Sequence, residues 1–167
     1  ATKAKAANGA ASLPVTGMTL WEITIAEYLQ PLGYTSALFG KWHAGNAAGR
    51  APTNQGFDEW YGIRDSSNES QRSTFNDTPY IWEGRAAGMP SRPVKEFNLE
   101  TRRTIDREVT DRAVDFMTRS RRASRPFFLY VPFTHVHFPT LPHPEFAGRT
   151  GAGDIGDAMA EMDRNVG

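Results

Sequence analysis

Apolar positions along the chain fall into a few recurring patterns, each predicting an element. Trp21, Ile25, Tyr28, Leu29 and Leu32 recur at helical spacing behind Thr19-Leu20-Trp21-Glu22. That tetrapeptide has the form of a capping box, with Thr19 as N-cap and Glu22 reaching back, and Gly33 supplies the stop. Tyr34 to Phe39 then reads as a short, mostly apolar strand. From about Leu99 to Arg122 the helical spacing returns, with Ile105, Val109, Ala113, Phe116 and Met117 on one face and charges on the other. Arg125-Pro126 breaks that helix, and the continuous apolar run Phe127 to Val131 predicts a strand buried on both faces. Ile155, Met159, Met162 and Val166 begin another helix, whose apolar stripe is still running at Gly167.

Between these elements, residues 46–98 are rich in Gly, Pro, Asn, Ser and Arg. They predict a long excursion with little regular structure over the rim of a sheet, Gln55 to Gly62 being its most ordered part. Trp60, Tyr61, Tyr80 and Trp82 within it either line an aromatic or sugar-accepting face or pin the excursion to the body. Residues 1–18 read as a flexible lead-in. Helices alternating with strands, with loops at the strands' carboxyl ends, predict an α/β sheet that collects ligands along that edge.

Composition narrows the classes. In 167 residues, 19 Lys plus Arg balance 19 Asp plus Glu, so nothing favours nucleic acid or an anionic membrane as partner. No apolar run approaches the roughly 18 to 20 residues of a membrane span. The local cluster Arg119, Arg121, Arg122 and Arg125 reads as a solvated helix end whose cations suit the dipole. Cysteine is absent, which removes disulfides, thiolate metal sites and a Cys nucleophile from this chain.

Two loops carry the candidate chemistry. Phe39-Gly40-Lys41-Trp42-His43-Ala44-Gly45 follows the first strand, and Pro132-Phe133-Thr134-His135-Val136-His137-Phe138-Pro139 follows the last. If both lie at one sheet edge, Lys41 offers a fixed cation, and His43, His135 and His137 offer imidazoles that exchange protons near neutrality. Such a set suits an ester of an inorganic oxyacid. A plain turn, with Trp42 as an aromatic plug between two solvated neighbours, fits the first loop equally well. His135-Val136-His137 also has the form of a zinc-binding pair, though the further ligands lack a recognisable spacing. His143, between two prolines, reads as a surface loop residue. No nucleophile elbow, P-loop or dinucleotide fingerprint is present. Ser12-Leu13-Pro14-Val15-Thr16 is discounted as a nucleophile motif because it lacks an arginine and a helix start.

Five blocks in order resemble the formylglycine-dependent sulfatases: Thr24 to Leu29 with Gly33-Tyr34, Phe39 to His43, Gln55 to Gly62, Arg125 to Tyr130 with His135 to Pro139, and Gly156 to Asp163. Bacterial arylsulfatase-like members are the nearest in kind. The resemblance implies an alkaline-phosphatase-like sandwich with a central mixed, mostly parallel sheet flanked by helices, of which residues 1–167 are an internal portion. It also implies hydrolysis of organic (aryl) sulfate monoesters. On this resemblance Lys41 contacts sulfate and the nucleophile, His43 hydrogen-bonds the formylglycine diol, and His137 binds sulfate near the leaving oxygen. His135 is a further substrate-binding candidate. The Cys/Ser-x-Pro-x-Arg source of formylglycine and the acidic calcium ligands are expected outside this chain, which is therefore expected to be inactive alone. A periplasmic or secreted location goes with the family. A phosphoric or phosphonate ester hydrolase of the same superfamily, or a non-catalytic anion-binding module, are the alternatives.

Overall fold

A computed structural model describes residues 17–67 and 80–167. The Ser12 to Thr16 pattern and most of the lead-in lie outside the described residues. The first helix, α1, spans Ile25–Leu29 and runs into a 3-10 turn, Gln30–Leu32, closed by Gly33 at φ 86°. Strand β1 is Thr35–Lys41, β2 is Glu59–Ile63, β3 is Tyr80–Gly84 and β4 is Arg92–Glu96. A short helix α2, Leu99–Arg102, leads into the long helix α3, Ile105–Arg122. Strand β5, Phe127–Tyr130, and helix α4, Gly153–Val166, complete the described elements.

The strands form one mixed sheet in the order β4-β3-β2-β1-β5. β1 runs parallel to β2 and to β5, whereas β2–β3 and β3–β4 are antiparallel. Alternation along β1 sorts the core into two layers. Ala37 and Phe39 join Tyr61, Ile81 and the α3 residues Ile105, Val109, Ala113 and Phe116 on one face. Leu38 joins Trp60, Trp82, Phe57 and Ala26 on the other. Phe39 meets Phe116 edge-on, with ring centroids 6.1 Å apart.

Several expectations are corrected. The capping box sits at Thr24, not Thr19: Glu27 N donates to Thr24 Oγ1 at 3.1 Å, and Thr24 N donates to Glu27 Oε2 at 2.8 Å. The sequence holds the same Thr-x-x-Glu pattern twice, and only the second Thr also reaches a neighbouring segment, donating to Gln55 O at 2.7 Å. Thr19–Glu22 makes a single turn instead. Residues 46–98 contain three of the sheet's strands, β2, β3 and β4, rather than little regular structure. Each is only five residues long and set among turn formers, which hides it from a windowed reading. Trp60, Tyr61 and Trp82 are buried and pin those strands.

β5 forms an edge of this sheet and pairs only with β1 among the described residues, so the expected two-sided burial is not seen: Tyr130 is 48% exposed. Arg119 is more than a solvated helix end. Its fork meets both oxygens of Glu59 at 2.9 Å, tying α3 to the start of β2.

Glu83 in β3 is buried beneath three arginines: Arg85 at 2.8 Å, Arg92 at 3.2 Å and Arg112 at 3.2 Å. Burial pushes its carboxyl up, but hydrogen bonds from Arg85 and Arg92 and the charges of Arg85 and Arg112 outweigh it and hold the group below its ordinary value.

Two outcomes follow from this packing. Phe116→Ala should cost about 3 to 5 kcal/mol in urea unfolding, and Met117→Ala, at a half-exposed position that spacing placed in the core, under about 1 kcal/mol. Equal losses would contradict the α3 orientation. Because the folded Glu83 carboxyl lies below its unfolded value, its stabilisation is present above the ordinary value near 4.5 and lost as pH falls through the folded value. Unfolding across pH should therefore show Glu83→Gln deficient at neutral pH and converging on the parent in acid. A deficit constant with pH would exclude this role.

Candidate active site

The carboxyl ends of β2, β1 and β5 are brought together by two glycines. A Cβ on Gly62 would land on the Gly40 carbonyl, and one on Gly40 would land on the Pro132 carbonyl. Both residues also have positive φ, 129° at Gly40 and 156° at Gly62, where side chains are strained. The close approach is secured by Lys41 N donating to Pro132 O at 2.8 Å, Trp42 N to Ile63 O at 2.9 Å and His43 N to Arg64 O at 2.8 Å. The loop bearing Lys41 and His43 is thus held between the exits of β2 and β5, on the same edge as the second histidine loop.

Within the first loop the roles separate. Trp42 turns into the body, donating Nε1–H to Arg50 O at 2.8 Å and meeting Phe57 edge-on at 6.2 Å. Lys41 is half-buried and His43 is exposed. His43 takes φ 52°, a left-handed conformation uncommon away from glycine, which turns the chain while its backbone stays bonded to β2's exit. Met18 N on Ala44 O, at 2.8 Å, braces the far side. Arg64, leaving β2, stacks 3.5 Å over the Trp82 ring, and burial lowers the pKa of its guanidinium.

The second loop is held from beneath by buried charges. Asp106 in α3 accepts from Thr134 N and Thr134 Oγ1 at 2.9 Å and from His135 N at 2.8 Å. Arg102, fully buried at the end of α2, donates to Thr134 Oγ1, to Thr134 O at 3.1 Å and to His137 O at 3.0 Å. Burial lowers the Arg102 pKa, and the charges of Asp106 and Glu161 oppose that. Glu161 in α4 accepts from His135 Nε2 at 3.0 Å and from His143 N at 2.7 Å.

These contacts place the two histidines differently. The His135 side chain, a substrate-binding candidate on the sequence, is 1% exposed, with Nε2 taken by Glu161. His137 is half-buried, and its Nδ1 faces Phe138 O at 2.6 Å. A carbonyl only accepts, so Nδ1 carries the proton and Nε2 is the atom left for chemistry. The two rings have separate partners, and His143 is more than a surface residue, since its backbone is anchored on Glu161.

Sequence reading missed Arg102, Asp106 and Glu161. Their signal was available: Arg102, Asp106, Val109 and Ala113 share one helical stripe, and Asp157 and Glu161 are four apart beside Ala158. Charges placed within a buried stripe mark internal hydrogen-bonding work. The apolar face expected of α4 is largely exposed, Met159 at 53%, while Asp157 is buried and accepts from Gly148 N and from Thr150 N and Oγ1.

The calcium and formylglycine that the resemblance implies do not fit the residues at hand. Among the described residues no group of three or more His, Cys, Asp or Glu could hold a metal, and the chain has no cysteine. No described helix is long and apolar enough to cross a membrane. A cavity of about 430 Å³ lies elsewhere, against the start of β2, and its residues Arg112 and Arg119 are already paired with Glu83 and Glu59.

Known proteins resemble this chain in sequence and in fold. The chain is 35% identical over 159 residues to N-acetylgalactosamine-6-sulfatase of Canis lupus familiaris, covering 92% of this chain and 30% of that protein. It is 32% identical over 161 residues to arylsulfatase A of Homo sapiens, covering 90% of this chain and 32% of that one. The crystal structure of PsFucS1 sulfatase from Pseudoalteromonas sp. superposes with a TM-score of 0.79 at 26% identity, covering 86% of this chain and 33% of the other. The chain thus spans about a third of the length of these relatives. The family model described as Sulfatase matches residues 3–167, and with the alkaline-phosphatase-like mixed sheet this establishes that the chain belongs to the sulfatase family.

Proposed function

We propose that the whole protein hydrolyses organic sulfate monoesters, aryl sulfates among them, to an alcohol or phenol and sulfate, and that Lys41, His43 and His137 supply this chain's share of the site. The observation that carries the reading is the bond from Lys41 N to Pro132 O, which sets the Lys41–His43 loop beside the loop of His137 at one sheet edge. Displacement at sulfur builds negative charge on the sulfuryl and leaving oxygens. Lys41 offers that charge a fixed cation from the end of a paired strand. With Nδ1–H kept on the Phe138 carbonyl, a second proton on Nε2 makes the His137 ring cationic, and that proton can hydrogen-bond a sulfuryl oxygen and pass to the leaving oxygen. His43, exposed in the same loop as Lys41, exchanges a proton with the attacking group. His135 acts from beneath, through its loop. The nucleophile and any calcium ion are left to residues beyond those here, and a periplasmic or secreted location belongs to the same proposal.

The relatives' names cover an aryl and a sugar sulfate alike. Steady-state assays of the whole protein should therefore use a chromogenic aryl sulfate, a 6-sulfated amino sugar and the matching aryl phosphate. Turnover of a sulfate in preference to the phosphate supports the reading. Preference for the phosphate would favour the phosphoric ester hydrolase, and turnover of neither the anion-binding module. Lys41→Ala and His137→Ala should each lower kcat/KM by about 10² to 10⁴-fold. Full activity in either variant would remove that residue from the site.

A further inference from the structure

We propose that Arg102 is a positioning residue for His137, acting as an internal clamp that fixes where the ring of the sulfate-binding histidine stands. This inference rests on the assignment of His137 to the sulfuryl group made above. Arg102 is fully buried, yet every hydrogen bond formed by its guanidinium goes to the histidine loop: Thr134 Oγ1, Thr134 O and His137 O. None goes to a carboxylate. Asp106 and Glu161 keep the charge tolerable from close by without spending its donors.

The division of labour between the buried groups singles out the task. Asp106 by itself satisfies the backbone N–H groups of Thr134 and His135, so the start of the loop does not need Arg102. What Arg102 adds is a bridge between the carbonyls of Thr134 and His137, across the exposed turn at Val136. Among the described residues, residue 137 otherwise keeps only a long backbone bond, His137 N to Thr134 O at 3.4 Å, and a local ring contact to Phe138 O. A planar fork with several donors can span two carbonyls and a hydroxyl at once, and an ammonium of similar reach cannot do so with the same geometry. A burial this costly, aimed wholly at one loop, is explained by the placement of the loop's reactive ring.

The test joins kinetics to a direct view of the ring in the whole protein. Arg102→Met and Arg102→Lys are each made in the parent and in His137→Ala, and assayed with a chromogenic aryl sulfate. In the parent each should lower kcat/KM by about 10 to 100-fold, as a misplacement near 1 Å does, mostly through kcat. In the His137→Ala background the same changes should cost less than about 3-fold, because the two residues act as one unit. Proton–carbon NMR should show the His137 ring signals shifted or broadened by Arg102→Lys while those of His43 stay in place. Equal fold-losses in both backgrounds, or unmoved His137 signals, would overturn the clamp. Should Arg102→Met fail to fold, Arg102→Lys, which keeps the stem and the charge, carries the same comparison. If His137→Ala alone leaves activity intact, it is the sulfatase assignment of His137 that fails, and the ring signals still report on Arg102 separately.

Discussion

Three backbones approach more closely at the carboxyl ends of β2, β1 and β5 than any side chain would allow, and the site depends on that approach. Gly62 sits against the Gly40 carbonyl and Gly40 against that of Pro132. A methyl group at either position would push the strands apart where their loops must converge. The parallel pairing of β1 with both neighbours supplies the direction, since all three chains leave the sheet at the same edge. The glycines supply the distance. Lys41, the last residue of β1, is consequently a strand residue with its backbone bonded, and its position is set by the sheet rather than by a free loop.

The second histidine loop has no such ladder, and the protein holds it with buried ions. Arg102, Asp106, His135 and Glu161 meet below it, drawn from α2, α3, the loop itself and α4. Taking such groups out of water costs several kcal/mol apiece unless each finds charge and hydrogen-bond partners. Here Arg102 donates to the carbonyls of Thr134 and His137, and Asp106 accepts from the N–H groups of Thr134 and His135, backbone groups that would themselves be costly to leave unpaired. The same cluster joins α4 to the site, because Glu161 serves both His135 and the backbone at His143. The two loops are thus fixed by different physics, one by strand pairing and one by a charged core.

The legible parts of the sequence were those where one local rule acted alone. β1, the α3 stripe through Phe116 and the stop at Gly33 follow from spacing and from glycine. The failures share a cause in tertiary context. Thr19 and Thr24 offer the same capping pattern, and the choice falls to Gln55, a residue distant in sequence. Strands β2 to β4 are short and interrupted by turn formers, so nothing within a window distinguishes them from loop; their pairing with β1 does. For the site, the quoted motifs picked out the loops, whereas the buried charges were invisible to a search for exposed chemistry. His135 shows the limit most sharply. Spacing alone could not tell it from His137, because an extended His-x-His would turn both rings the same way, whereas Glu161 and Asp106 draw one of them inward.

That inward turn reverses the usual reading of amphipathic pattern in α4. Its exposed positions include Ile155, Met159 and Val166, and its buried ones include Asp157 and Glu161. A helix chosen only for burial of apolar area would sit the other way round, since each buried carboxylate forgoes hydration. The orientation is accounted for by what the carboxylates do. Asp157 collects the backbone N–H groups of Gly148 and Thr150, and those bonds hold its carboxyl below the ordinary range despite burial. Glu161 accepts from the ring Nε2 of His135 and from the backbone N–H of His143. One face of α4 therefore fastens two loops, and the apolar stripe that the spacing revealed is the face left outward. In this chain the polar residues, more than the apolar ones, decide how the last helix docks beneath the histidine loop.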